Sequence, residues 1–163
     1  MKYPGGAVSC HFVKRCYLFP EFSLAAAVIT KEYSGISMTR EQFEEIAQHA
    51  FDALPKDFTD RVENVAIVVE DYPSDDALGR VHADRYSLLG LYQGVPLTMR
   101  GQWYGMSAVL PDKISLYQKN IEAVCGNDEE ELKLRIMEVL FHELGHYFGM
   151  DERQVRDAMR GFM

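Results

Sequence analysis

The stretch that decides the fold is "LFHELGHYFGMDERQV", residues 140–155. His142 and His146 stand four apart, Glu143 follows the first, Gly149 comes three residues after the second, and Asp151 and Glu152 lie just beyond. Four residues of α-helix advance about 6 Å along the axis, so the two imidazoles sit one turn apart. They can converge on one ion at Zn–N distances of about 2.0–2.1 Å. Glu143 points to the neighbouring side, where it can reach a water on the metal but not easily the metal itself. Two ligands and a base on one helix is the H-E-x-x-H arrangement. A catalytic zinc also needs a third protein ligand and one open position. A left-handed Gly149 lets the chain reverse and brings the acidic pair back toward the histidines. The extended spacing puts the third ligand on Glu152, ten residues after His142, with Asp151 as the second choice.

Working outward, "GNDEEELKLRIMEVLFHELGHYFG" reads as a helix running to about Phe148. Asn127 or Asp128 caps it, and Glu129, Glu130 and Glu131 put negative charge at the positive end of the helix dipole. Leu132, Ile136, Val139, Leu140 and Tyr147 share one stripe; Glu143 falls inside it, and His142 and His146 fall at its edge. Met137, Phe141, Leu144 and Phe148 cover much of the rest. A helix apolar on most sides is a buried one. A buried carboxylate is costly unless a cation or hydrogen-bond donor meets it, so Glu143 needs a partner. A short final helix is expected in "ERQVRDAMRGF".

Upstream, "SMTREQFEEIAQHAFDALP" starts a helix. Thr39 is the N-cap, Gln42 completes a capping box, and Phe43, Ile46, Ala47, Ala50, Phe51 and Leu54 recur at helical spacing before Pro55. Residues 1–37 have no clean periodicity. Met38 immediately precedes the cap and is read as the native start, which makes residues 1–37 an N-terminal extension and residues 38–163 the folded domain. "VENVAIVVED", residues 62–71, reads as a buried strand, and "DYPSDDALGR" as a loop. "YSLLGLYQG" holds a second strand ended by Gly94 and Pro96, and "TMRGQWYGM" is a glycine-bearing loop. "SAVLPDKISLYQKN" reads as two short strands or a hairpin around Pro111–Asp112, with Ile114 and Leu116 alternating as in an edge or half-buried strand.

The chain is 47% hydrophobic and 26% charged, as in an ordinary globular domain, and carries a net charge of −8. That charge argues against nucleic acid or an anionic membrane as partner. No run reaches the ~20 apolar residues of a membrane span. "FSLAAAVIT" lacks the flanks of a signal peptide. Cys10, Cys16 and Cys125 are odd in number and sparse, which favours a reducing, cytoplasmic setting. Cys10, His11 and Cys16 fall short of the four closely spaced ligands of a structural zinc site. His11, His49 and His82 lie in no motif.

"VENVAIVVED", "LLGLYQGVPLT", the "YG" with "VLPDKISLYQKNIE", and "CGNDEEEL" leading into "HELGHYFGMDE" together resemble the small bacterial zincin-like metallopeptidases, over about residues 38–163. The resemblance implies an α+β, minimal zincin-like fold, with a small mixed sheet packed on an N-terminal helix and the H-E-x-x-H helix. It implies one catalytic zinc held by His142, His146 and Glu152, with Glu143 as general base, and peptide or protein substrates. Trp103 is core or cleft wall. A strand at residues 113–117 would hold an extended peptide by main-chain pairing. Tyr104, Tyr117, His82 and Arg100 are oxyanion-donor candidates by residue type alone. The alternative is a non-catalytic metal-binding module on the same fold. A metal-dependent endoribonuclease is disfavoured, because that type uses three histidines with no glutamate after the first.

Overall fold

A computed structural model gives the fold and describes residues 38–101, 104, 110–126 and 128–160. Residues 1–37, expected above to be an extension and holding Cys10, His11 and Cys16, lie outside the described residues, as do Trp103 and Asn127. Helix α1 (Arg40–Asp52) begins where expected: the Thr39 hydroxyl accepts from the Gln42 amide, and the Gln42 side chain accepts from the Thr39 amide. A short α2 (Lys56–Thr59) follows, and then β1 (Val65–Glu70). The segment expected to be a loop instead contains α3 (Asp75–Val81), capped by the Ser74 hydroxyl on the Ala77 amide. Next come β2 (Gly90–Gln93), a 3-10 turn at Leu97–Met99, and β3 (Asp112–Tyr117). Helices α4 (Gln118–Cys125), α5 (Glu129–Tyr147) and α6 (Glu152–Arg160) complete the described chain.

The sheet is mixed, in the order β1-β3-β2, with β1 parallel and β2 antiparallel to β3. This overturns the edge assignment of residues 113–117. β3 is the central strand, and both its main-chain edges are taken by neighbours. It therefore has no edge left for a peptide; among the described residues the outer strands of the sheet are β1 and β2. The hairpin reading fails too. β3 pairs with strands far away in sequence, while Leu110, just before it, is exposed and in no strand.

Burial explains the central place. Ile114 and Leu116 face a core built with Phe43 and Ala47 of α1 and Ile136, Val139 and Leu140 of α5. Tyr117 faces the other way, into a second cluster with Ala77 and Val81 of α3 and Leu88 and Leu91. Both faces of the strand are covered, which suits a central strand. Fully burying each of the valine, leucine, isoleucine and phenylalanine side chains among them contributes about 1.5–3 kcal/mol. Among the described residues, no helix is long and apolar enough to cross a membrane.

β2 lies close against α5. A Cβ built on Gly90 would stand 2.5 Å from Val139 Cγ1 and 3.2 Å from Glu143 Cγ. A side chain there would force Val139 or the elements around it to shift. Gly90→Ala is expected to destabilise the fold by about 1–3 kcal/mol, the usual cost of overpacking. Urea unfolding of wild type and variant measures it.

Candidate metal centre

Asp128 caps α5 by accepting from the Glu130 and Glu131 amides. From Val139 to Tyr147 every residue is buried, including His142, Glu143 and His146. The helix ends in a Schellman motif: the Met150 amide donates to the Gly145 carbonyl and the Gly149 amide to the His146 carbonyl. Gly149 has φ +85°, the left-handed conformation expected for it. Its Cα also rests on the Thr98 side chain of the 3-10 turn, leaving no room for a Cβ.

That turn starts α6 beside the histidines. Asp151 and Glu152, the two alternatives for a third ligand, are put to different uses. The Asp151 carboxylate accepts from the Arg153 and Gln154 amides, and Gln154 Oε1 accepts from the Asp151 amide, forming a capping box at the head of α6. Glu152 faces the histidines instead. Its Oε1 lies 3.3 Å from His146 Nε2 and 3.6 Å from His142 Nε2, and the two Nε2 atoms are 3.1 Å apart. One ligand atom from each of the three residues falls within 4.8 Å of the others.

Several details fit this set to a divalent cation. His146 Nδ1 lies 3.2 Å from the Met150 carbonyl, which only accepts, so Nδ1 carries the proton and Nε2 presents its lone pair inward. Burial, helped by His146 and Arg156, lowers the His142 pKa to about 3 and keeps that ring neutral, as a ligand must be. Glu152 Oε1 is a buried oxygen with no hydrogen-bond donor. Two imidazole nitrogens and an orphaned carboxylate oxygen make up a donor set of the kind zinc takes.

Glu143 is fully buried, and its Oε2 accepts from the Tyr92 amide of β2 at 2.8 Å. Its Oε1 has no hydrogen-bond partner. Burial pushes its pKa up to about 8; the Tyr92 amide opposes the rise and nearby Glu152 adds to it.

Behind Tyr92 lies a polar cluster that sequence reasoning did not assemble. The Tyr92 hydroxyl donates to Asp112 Oδ2 at 2.7 Å, and Arg100 pairs with the same oxygen at 2.5 Å. Arg100 also donates to the Val95 carbonyl and stacks between the rings of Tyr104 and Tyr147. Asp112 and Arg100 are almost wholly buried, so this is an internal ion pair. Tyr104 reaches Asp112 at 3.4 Å. Of the four oxyanion candidates, Arg100 and Tyr104 are thus committed to Asp112. Tyr117 is packed in the α3 cluster, and His82 is exposed at the end of α3. The readable signal for the cluster was the pair of segments "LYQG" and "LPDKI", whose Tyr92 and Asp112 meet here.

The family model for zincin-like metallopeptidases matches residues 62–161, well over half the chain. Helix α1 precedes that match. No curated protein matches the chain significantly.

Gly149→Ala is expected to cost more than about 1 kcal/mol, since it adds a Cβ at positive φ and against Thr98. Thr98→Ala in the same background should restore only part of that loss, because the backbone strain remains; denaturant titration of the three proteins checks this.

The metal-free protein should also show a distinctive pH dependence. Glu143 has an ordinary value of 4.5 and a folded value of about 8, so its stabilising contribution is complete below pH 4.5 and is lost as pH rises to about 8. His142 acts in the opposite sense, losing its contribution as pH falls from 6.5 toward 3. Between pH 6.5 and 8 only Glu143 of the two titrates, and stability should fall there by about 1–2 kcal/mol, at roughly 1.4 kcal/mol per unit. Glu143→Gln should flatten that part of the curve, as measured by urea unfolding in chelator.

Proposed function

The chain belongs to the zincin-like metallopeptidases, and from that premise we propose that it is a zinc-dependent peptidase that hydrolyses peptide bonds with Glu143 as general base. The observation that carries this reading is the convergence of His142 Nε2, His146 Nε2 and a Glu152 oxygen within 4.8 Å, with Glu143 on the same buried turn.

Zinc, when bound, supplies a Lewis acid that polarises the scissile carbonyl and activates a water at neutral pH. His142, His146 and Glu152 hold the ion. Glu143 does the proton work. Oε2 is fixed by the Tyr92 amide, so the unpartnered Oε1 takes the proton of the attacking water and later gives it to the leaving amine. Buried Glu143 holds a proton too tightly for this role without a cation; a divalent charge beside it favours the carboxylate. The Tyr92–Asp112–Arg100 cluster keeps β2, and hence that amide, at one distance from the helix.

Glu143→Gln should retain a full complement of metal and lose cleavage of a peptide library. His146→Ala should lose the metal. Metal analysis and library digestion of the three proteins decide the matter. Cleavage that survives in Glu143→Gln rejects the mechanism. Metal without cleavage in wild type supports the non-catalytic module, and equal metal in wild type and His146→Ala rejects the centre.

A further inference from the structure

Helix α6 supplies the third side chain of the metal centre, and it also carries three arginines. Two of them are tied to Asp157: Arg153 at 3.9 Å and Arg160 at 3.6 Å. Arg156 is placed differently. It lies one turn after Glu152, and its guanidinium stands 3.6 Å from Glu152 Oε2. The two oxygens of Glu152 are thus divided. Oε1 faces both imidazoles and has no donor, while Oε2 faces the cation.

We propose that Arg156 is a positioning residue for the metal centre: it anchors Glu152 through Oε2, so that Oε1 alone is presented to the ion between His142 and His146. This rests on the reading of those three residues as the metal ligands. A glutamate at the first position of a helix, three-quarters buried, has several rotamers open to it. A cation at i+4 on the same helix selects the one whose far oxygen points along the helix, because residues four apart are neighbours on its surface. Side chains that orient a ligand in this way typically change metal affinity by roughly 10–100-fold when removed.

The sign of the effect makes the inference sharp. Arg156 is itself a positive charge near a dication. If it did nothing but repel, its removal would tighten zinc binding, by a modest factor because its side chain is more than half exposed and screened. Anchoring predicts the reverse.

The test measures zinc affinity by competition with a chromogenic chelator at neutral pH, on the whole chain, for wild type, R156A, R156K and R153A. It is joined by the visible spectrum of each protein loaded with cobalt(II). R156A should bind zinc about tenfold more weakly and shift the cobalt bands, because the carboxylate is free to change its mode of coordination. R156K, which keeps a charge but not the planar fork, should fall between. R153A, on the same helix but turned to Asp157, should match wild type in both measurements. R156A binding zinc as tightly as wild type, or more tightly, overturns the inference and leaves the centre standing. R153A as weak as R156A overturns it as well, by making the loss a property of the helix as a whole. Wild type that takes up no zinc overturns the centre and this inference with it.

Discussion

A carboxylate with no exposed surface, in the C-terminal half of α5 where every residue from Val139 to Tyr147 is buried, is the constraint on which the rest of the structure depends. Glu143 has one oxygen satisfied by the Tyr92 amide and the other without a partner. For that amide to reach it, β2 must lie against α5 without a side chain between them, which is why Gly90 stands there. For β2 to stay in place, the sheet holds it by antiparallel pairing to β3 and by the Tyr92 hydroxyl on Asp112. Asp112, in turn, is buried, and the Arg100 guanidinium together with the Tyr92 hydroxyl compensates it there. The apolar core and the polar cluster thus serve one arrangement: a strand amide facing a helix carboxylate at a fixed separation.

The other half of the centre depends on how α5 ends. Two capped turns in succession, the Schellman exit at Gly149 and the capping box of Asp151 with Gln154, swing α6 back over the histidines within a few residues. Tyr147 fastens the same end from the opposite side: its hydroxyl donates to the Arg61 carbonyl and accepts from the Glu63 amide. The glutamate therefore reaches the histidines from a separate helix, joined to α5 by the few residues between Tyr147 and Glu152. The fold itself thus brings one candidate ligand atom from each of the three side chains within 4.8 Å of the others.

Much of this was legible in the sequence, for identifiable reasons. The capping box at Thr39, the span of α5, its burial, the left-handed glycine and the convergence of His142, His146 and Glu152 all follow from local spacing, which a linear chain displays directly. The sequence left Asp151 beside Glu152 as a third-ligand candidate; the structure shows the Asp151 carboxylate accepting from the Arg153 and Gln154 amides, while Glu152 faces the histidines. Strand order was not legible. β3 begins with Asp112 and Lys113 and so looks half-polar, but both charges are met: Asp112 by Arg100 and Lys113 by Glu70 across the parallel pair. A central strand with paired charges looks like an edge strand when its partners are unknown. Helix α3 is too short for periodicity to declare itself, and Pro73 and Gly79 make its sequence look like a loop. The tie between Tyr92 and Glu143 joins residues 51 apart through a main-chain amide, which leaves no mark on residue identity.

The central claim is that one divalent cation is held by two imidazoles of α5 and one carboxylate of α6. X-ray absorption at the zinc edge of the reconstituted protein tests it most directly. The account predicts two imidazole nitrogens at about 2.0–2.1 Å and oxygen ligands at about 2.0–2.2 Å, with the imidazole signal reduced in His142→Ala. A zinc shell without imidazole scattering, or one unchanged in that variant, would contradict it.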